Sequence, residues 1–333
     1  MKMFCNLPFS RLSIDDDGNV WPACCPDWVK FPFGNVFVDS WDEIWRGKRI
    51  TKFRGSCNDG SLKYCDWKWC PYIAACQSGV YSSYVSPLTE TRVVYNLEHI
   101  NLNYDMTCNL KCPTCRLDYI HMEGDSLHKI QKLHNYVDSN ILPNVESIAL
   151  TGVGDPFMSQ IFRKFLVDFN KNKYPNVKRI HLHTNGQLFN SKIYQKMKGL
   201  QDIELSVDIS IDASTAETYS LVRPPGKWDR LLENLQFINS LPNIKLLGIS
   251  MVVQQSNYRE MLSFIEMGKY FVKRGREVYV EFKRPRQWNH LTDECFNSIE
   301  VDNDEFRDVV SLVELKRCMN TPVQVRHNLQ EYL

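Results

Sequence analysis

The sequence predicts an α/β protein: six strand–helix units forming a parallel sheet, preceded by a small Cys-rich α+β module. Three observations carry this prediction. From about residue 95, apolar β-rich runs alternate with helix-spaced segments. Residues 1–94 break that rhythm with short strands, turn signals and dense Trp and Cys. Ten of the twelve cysteines fall within the first 115 residues.

In the amino-terminal part, DDDG (15–18) and GNV (34–36) are turn signals, because glycine and short polar side chains suit tight turns. Asp15, Asp16 and Asp17 read as a solvated turn. SWDEIWRGKRITKF (40–53) predicts one helix, with Ser40 as N-cap and Glu43 completing a capping box. The core of 1–94 is too thin to stand alone, and a bound metal would stabilise what burial cannot. Residues 77–94, rich in Ser and Tyr, are expected to be a linker.

The strand runs are the stretch ending at Cys108, then 147–154, 179–186, 203–212, 244–253 and 277–285. Between them, 126–137, 159–170, 190–200, 227–241 and 258–275 carry helical spacing; in the last, Met261, Ile265, Met267, Tyr270 and Phe271 follow the period. Strand–helix alternation implies parallel strands joined by crossovers. Pattern alone leaves a partial barrel and an open doubly wound sheet both open. The segment 286–333 is expected to close the fold with a helix over 304–319. The expected parts are therefore 1–94, 95–285 and 286–333.

At 333 residues, 43% hydrophobic and 24% charged, the chain has the composition of an ordinary globular protein. Its net charge of +1 argues against a nucleic-acid partner. No apolar run is long enough to span a bilayer. The first residues, interrupted by Pro8, Arg11 and Asp15, do not read as a signal peptide. A cytoplasmic location without membrane association is expected, and crowded thiols there suggest metal rather than disulfides.

The sharpest chemical signal is Cys108-Asn-Leu-Lys-Cys112-Pro-Thr-Cys115, a Cys-x3-Cys-x2-Cys triplet directly after a strand. Three thiolates on one loop suit three corners of a [4Fe–4S] cube, leaving one iron open. Zinc is the rival, with His121 as a fourth ligand. The triplet resembles the signature of radical S-adenosylmethionine (SAM) enzymes, and the resemblance continues at successive strand ends. Thr151-Gly152-Val153-Gly154-Asp155-Pro156 is similar to that family's Gly-Gly-Glu-Pro stretch, with Asp155 where Glu is usual. Thr184-Asn185-Gly186 matches its Thr-Asn-Gly, and Ser210-Ile211-Asp212-Ala213 its Ser-Ile-Asp-Gly. Arg223 stands where an arginine near the SAM carboxylate is common. The resemblance implies a partial (β/α)6 barrel, a [4Fe–4S] cluster on Cys108, Cys112 and Cys115, and SAM contacts from Gly152, Gly154, Asp155, Asn185, Asp212 and Arg223. Each motif also has a plainer use. Gly152 and Gly154 permit a tight turn, Thr184-Asn185-Gly186 is turn chemistry, and Asp212 or Ser214 can cap the next helix. His181 and His183 alternate along a strand, so they share one face.

Residues 5–76 resemble the SPASM/twitch modules of the same enzymes, in which a hairpin and a helix flank an auxiliary cluster. That implies a second [4Fe–4S] cluster on Cys5, Cys24 (or Cys25), Cys65 and Cys70, with Cys57 and Cys76 spare and able to replace a member. A zinc ribbon is the structural alternative. The family's reaction begins with reductive cleavage of SAM and hydrogen abstraction from a small-molecule or peptide substrate. An electron donor such as flavodoxin or ferredoxin supplies the reducing electron. With the auxiliary cluster as electron acceptor, the net change is oxidation, of a sugar, aminocyclitol or peptide side chain. An epimerase would instead need a hydrogen-donating thiol, for which Cys295 and Cys318 are the candidates, although both read as buried core residues. The alternative from another class is a zinc-stabilised binding module.

Overall fold

The computed structural model describes residues 2–23, 28–68, 70–77, 79, 84–88, 95–150, 153–287, 291–319, 321–329 and 332–333. The chain packs as two compact units that cut across chain order. One comprises Met1–Asp105, Met122–Val153 and Asn170–Arg179; the other comprises Met106–His121, Gly154–Phe169 and Ile180–Leu333. Among the described residues no helix is long and apolar enough to cross a membrane.

The first unit begins with β1 (Met3–Cys5), α1 (Leu7–Ser10), β2 (Arg11–Asp15), β3 (Asn19–Pro22) and β4 (Gly34–Asn35). Next come α2 (Trp41–Arg46), α3 (Lys48–Asn58), α4 (Pro71–Gln77), β5 (Val85–Pro87), β6 (His99–Asn103), α5 (Gly124–Asn140) and β7 (Ser147–Leu150). The order of its larger sheet is β7-β6-β2-β3-β4. Leu12 and Ile14 pair in parallel with Ile100 and Leu102, and all four are fully buried. The amino-terminal hairpin thus continues the sheet of the strand that leads to the cysteine triplet. The expected linker holds β5, which pairs antiparallel with β1 and places Val85 opposite Cys5.

Asp15 is more than a solvated turn residue. Its Oδ1 accepts from the Asp17 and Asn19 amides, and its Oδ2 accepts from Trp21 Nε1 at 2.8 Å. The capping box at Ser40 and Glu43 is present. The predicted helix is nevertheless interrupted at Gly47, whose ψ of 178° is extended, so α2 and α3 are separate. In α5, Ile130, Leu133, His134 and Val137 form one buried stripe at helical spacing.

His134 Nδ1 lies 2.7 Å from the Tyr104 hydroxyl, and burial holds its pKa down at about 4, against 6.5 ordinarily. The unfolded chain therefore takes up a proton near pH 6.5 while the native ring resists until about 4. Stability from this site is full above pH 6.5 and lost as pH falls toward 4. A loss of about 2 kcal/mol between pH 7 and pH 5 is expected from the linkage relation. Urea unfolding at both pH values should show it, and His134→Gln should flatten that dependence.

The second unit contains α6 (Gln160–Asp168), β8 (Arg179–Thr184), α7 (Ser191–Tyr194), β9 (Glu204–Ser210), α8 (Ala216–Val222) and α9 (Trp228–Ser240). It continues with β10 (Ile244–Val252), α10 (Met261–Lys269), β11 (Glu277–Lys283), α11 (Asp293–Ile299), α12 (Asp304–Cys318) and β12 (Gln324–His327). Its strand order is β8-β9-β10-β11-β12, and β9 through β12 pair in parallel. All six predicted strands exist as β6 to β11, and β12 adds one that four residues of mixed polarity did not announce. The expected closing helix is α12, with Asn303 as its N-cap. The buried stripe of α10 is Met261, Phe264, Ile265 and Gly268; Tyr270 lies beyond the helix and is 55% exposed.

Alternation gives this sheet two unlike faces. Leu182, Val207, Ile209, Leu247, Ile249, Val280 and Phe282 make one apolar, fully buried set. The intervening positions are His181, His183, Ser206, Asp208, Ser210, Ser250, Tyr279, Glu281 and Lys283. Gly248 lies opposite Tyr279, where a Cβ would meet the tyrosine ring at 2.1 Å; only glycine admits that close approach.

Candidate functional site

The cysteine triplet lies in the loop 106–121 of the second unit. Local hydrogen bonds fold it: the Cys115 and Arg116 amides both donate to the Cys112 carbonyl, at 2.9 and 3.0 Å. Cys112 is buried, and Cys108 and Cys115 are half-buried. Each sulfur faces a side-chain donor. Asn185 Nδ2 lies 3.7 Å from Cys108 Sγ, and Arg223 Nη1 lies 3.6 Å from Cys112 Sγ. Arg116 Nε and Nη2 both lie 3.3 Å from Cys115 Sγ.

Asp155, Asn185, Asp212 and Arg223 are brought together around this loop, and Asp155 and Asp212 act chiefly as clamps. The Asp155 amide donates to the Thr107 carbonyl at 2.9 Å. Its Oδ2 accepts from Thr184 Oγ1 and the Asn185 amide, and its Oδ1 from the Phe157 amide. Burial still pushes its pKa up. Asp212, fully buried at φ +61°, accepts from the Val252 amide at 2.7 Å through Oδ1. Its Oδ2 pairs with Arg223 Nη2 at 2.7 Å. Neither Asp212 nor Ser214 caps α8; Thr215 does, accepting from the Thr218 amide. Gly186, at φ +76°, completes the turn after Asn185, in a region where L side chains are strained. Gly154 begins the second unit's middle segment, while Gly152 lies outside the described residues.

These residues fit the cofactors that the resemblance implies. The donor set is three thiols on one loop, each with an N–H donor, the environment that suits a thiolate-bound iron–sulfur cluster. Burial pushes the Cys112 thiol up to about 12, while Arg223 pulls against it, so binding metal there must release a proton. Arg223 Nε and Gln254 Nε2 are buried donors without a hydrogen-bond partner among the described residues. Such groups are costly unless a ligand meets them. Among the described residues no three His, Cys, Asp or Glu side chains are placed to hold a single metal ion. His121, the expected fourth zinc ligand, is exposed.

In the first unit a cavity is lined by Cys5, Cys65 and Cys70, with Pro22, Trp28 and Phe53. Pro22 and Trp28 stand on either side, in sequence, of Cys24 and Cys25, which lie outside the described residues. Cys57 is fully buried on α3, which packs against the β1 that ends in Cys5, so it joins the thiols that the structure groups. Burial pushes the Cys65 thiol well up from its ordinary range and raises that of Cys70. Cys76, on α4, is not part of that cavity lining.

The polar face of the second unit's sheet gathers a further set. His181 Nδ1 is 2.9 Å from Ser206 Oγ, and His183 Nε2 is 2.8 Å from Ser210 Oγ. Asp208 Oδ2 lies 3.8 Å from both His183 Nδ1 and Lys283 Nζ, and Lys283 reaches Glu281 at 3.0 Å. Burial works against the Asp208 charge, but Lys283 and then the histidines pull its pKa down to about 2. The Arg326 guanidinium stacks 4.0 Å over the Tyr279 ring. Sequence reading flagged only the two histidines and Ser210 here; the register of five strands, invisible in a linear pattern, assembles the rest. Arg116 was missed for a similar reason, since an arginine beside a cysteine carries no spacing signal.

Cys295 and Cys318 are not the core thiols expected. Cys295 is half-buried near the start of α11, and Cys318 is exposed at the end of α12, a helix whose buried residues are Phe306, Val310 and Val313.

Comparison with known proteins follows from this geometry. Residues 5–77 match the SPASM family, an iron–sulfur cluster-binding domain. The chain is 24% identical over 228 residues to molybdenum cofactor biosynthesis protein 1 of Dictyostelium discoideum, covering 67% of this chain and 33% of that protein. It is 26% identical over 178 residues to a GTP 3′,8-cyclase of Clostridium perfringens, covering 51% of each. The chain thus spans a third to a half of the length of these curated relatives. Among solved structures it is similar to the crystal structure of HydG, a maturase of the [FeFe]-hydrogenase. Identity is 15% and the TM-score 0.44, over 66% of this chain and 49% of that one. Residues 5–77 thus carry a SPASM iron–sulfur cluster-binding domain, and the chain as a whole is similar to radical SAM enzymes, a resemblance that implies [4Fe–4S] clusters and SAM as cofactors.

Proposed function

We propose that this radical SAM enzyme, built on a partial (β/α)6 barrel, oxidises a small polar substrate. A sugar or aminocyclitol fits better than a nucleotide. The observation supporting this is the charge balance of the polar face: Asp208 and Glu281 against Lys283 and Arg326, with serine hydroxyls between. Such a surface suits hydroxyl and amino groups. A nucleoside triphosphate, which the name of the GTP 3′,8-cyclase relatives implies for them, brings several negative charges and favours a basic site. Bound SAM and its cluster supply the hydrogen-abstracting chemistry, and the auxiliary cluster on Cys5, Cys24 (or Cys25), Cys65 and Cys70 an electron acceptor. Cys108, Cys112 and Cys115 hold the first cluster. Gly152, Gly154, Asn185, Asp212 and Arg223 contribute to SAM binding, and Asp155 fixes the loops that present them. Asp208 and Lys283 orient the substrate, with His183 kept neutral beside them; burial, opposed by Asp208, holds its pKa at about 4. An electron donor such as flavodoxin or ferredoxin completes the system.

The positions of Cys295 and Cys318, on helices rather than on the polar face, favour oxidation over epimerisation. In the test, anaerobically reconstituted protein is incubated with SAM, dithionite and single candidate substrates. Aminocyclitols or sugars should raise the yield of 5′-deoxyadenosine, and GTP should not; stimulation by GTP alone would overturn the reading. Lys283→Ala should lower kcat/KM for the responding substrate about 10- to 100-fold, the scale of a lost charged hydrogen bond.

A further inference from the structure

Arg116 has no part in the motifs that carry the resemblance, yet of the three side-chain donors found on the triplet's sulfurs among the described residues it lies nearest. The residue is 5% exposed. Nη1 donates to the Met106 carbonyl at 2.9 Å, which anchors the guanidinium plane. Nε and Nη2 then both point at Cys115 Sγ, each at 3.3 Å. This is a two-pronged donor on one acceptor, the geometry for which arginine's rigid fork is suited. Cys108, by contrast, faces a neutral amide at 3.7 Å. Cys112 faces an arginine whose charge is already shared with Asp212 at 2.7 Å.

We infer that Arg116 is a positioning residue that raises the reduction potential of the cluster on Cys108, Cys112 and Cys115 through its paired hydrogen bonds to the Cys115 sulfur. The inference rests on those three cysteines being iron ligands. Its physical basis is that reduction adds one negative charge to the cluster. A buried cation and two N–H donors on a ligand sulfur stabilise the reduced form more than the oxidised one. The electron comes from an external one-electron donor of the flavodoxin or ferredoxin class, and no proton or bond change is required of Arg116.

The test is an anaerobic potentiometric titration of the reconstituted full chain. It follows the electron paramagnetic resonance signal of the reduced cluster that changes when SAM is added. Arg116→Met keeps the length and removes charge and donors; Arg116→Lys keeps the charge and loses the fork. The Met variant should hold wild-type iron and shift the midpoint to lower potential by at least tenfold in the reduction equilibrium, 59 mV for one electron. The Lys variant should fall between Met and wild type. An unchanged or higher midpoint in the Met variant overturns the inference. So does equal loss of about four iron per chain from both variants, which would make the residue a structural support of the loop. Failure of the wild-type chain to assemble a SAM-responsive cluster would instead sink the ligand reading itself, a separate outcome.

Discussion

Cys108→Ala is expected to reduce 5′-deoxyadenosine formation to the level of a protein-free control. It should also lower bound iron from about eight to about four per chain, one cube's worth. Three thiols from one loop are the minimum that holds a cube while leaving an iron open, so two should not retain it. The loop itself should survive the substitution. Its fold depends on backbone bonds, from the Cys115 and Arg116 amides to the Cys112 carbonyl and from the Cys108 amide to the Ile120 carbonyl, which alanine keeps. Asn185→Ala should behave differently. Its amide sits outside the sulfur shell, 3.7 Å from Cys108 and 2.9 Å from Asn109 Oδ1. Loss of such an outer partner ordinarily costs 10- to 100-fold in activity or affinity rather than everything. Iron assay and chromatographic detection of 5′-deoxyadenosine separate the two behaviours. A Cys108→Ala protein that keeps its iron and still cleaves SAM would remove the chemical basis of the whole assignment.

The parallel core was legible because its physics is local. Each strand from β6 to β11 is a short apolar run between helix-spaced segments, and the triplet's spacing carries its own meaning. What escaped reading depends on contacts distant in sequence. That β2 joins β6 cannot be seen in either segment, since both alternate in the same way. Asp15 looked solvated because its partner Trp21 lies across a hairpin turn that must form first. Asp155 stands where the family usually has Glu, and nothing linear shows its carboxylate tying Thr184, Asn185 and Phe157 together. Asp212 and Ser214 looked like caps because both precede a helix, but the cap is Thr215. Ser214 is instead engaged by Glu260, 46 residues away. Cys57 looked spare by spacing and is adjacent to Cys5 only because α3 packs against β1.

Cys65→Ala is the second variant with a large expected effect, and it separates the two clusters. The substitution should lower iron from about eight to about four per chain, leave SAM cleavage without substrate near wild type, and abolish substrate conversion. The expectation follows from where the thiols lie. Cys5, Cys65 and Cys70 share one cavity within the first unit, whereas the triplet and its partners Asp155, Asn185, Asp212 and Arg223 all belong to the second. The donors found on the Cys108, Cys112 and Cys115 sulfurs are Asn185, Arg223 and Arg116, all residues of the second unit. If the auxiliary centre accepts the electron that substrate oxidation releases, removing it halts the reaction after hydrogen abstraction and leaves the earlier cleavage intact. Cys76→Ala serves as the control, because that thiol does not line the cavity; it should keep about eight iron per chain and full turnover. Turnover that persists in a Cys65→Ala protein lacking four iron would show that oxidation does not need the auxiliary centre. Loss of cleavage as well as turnover would show that the two centres depend on one another for assembly.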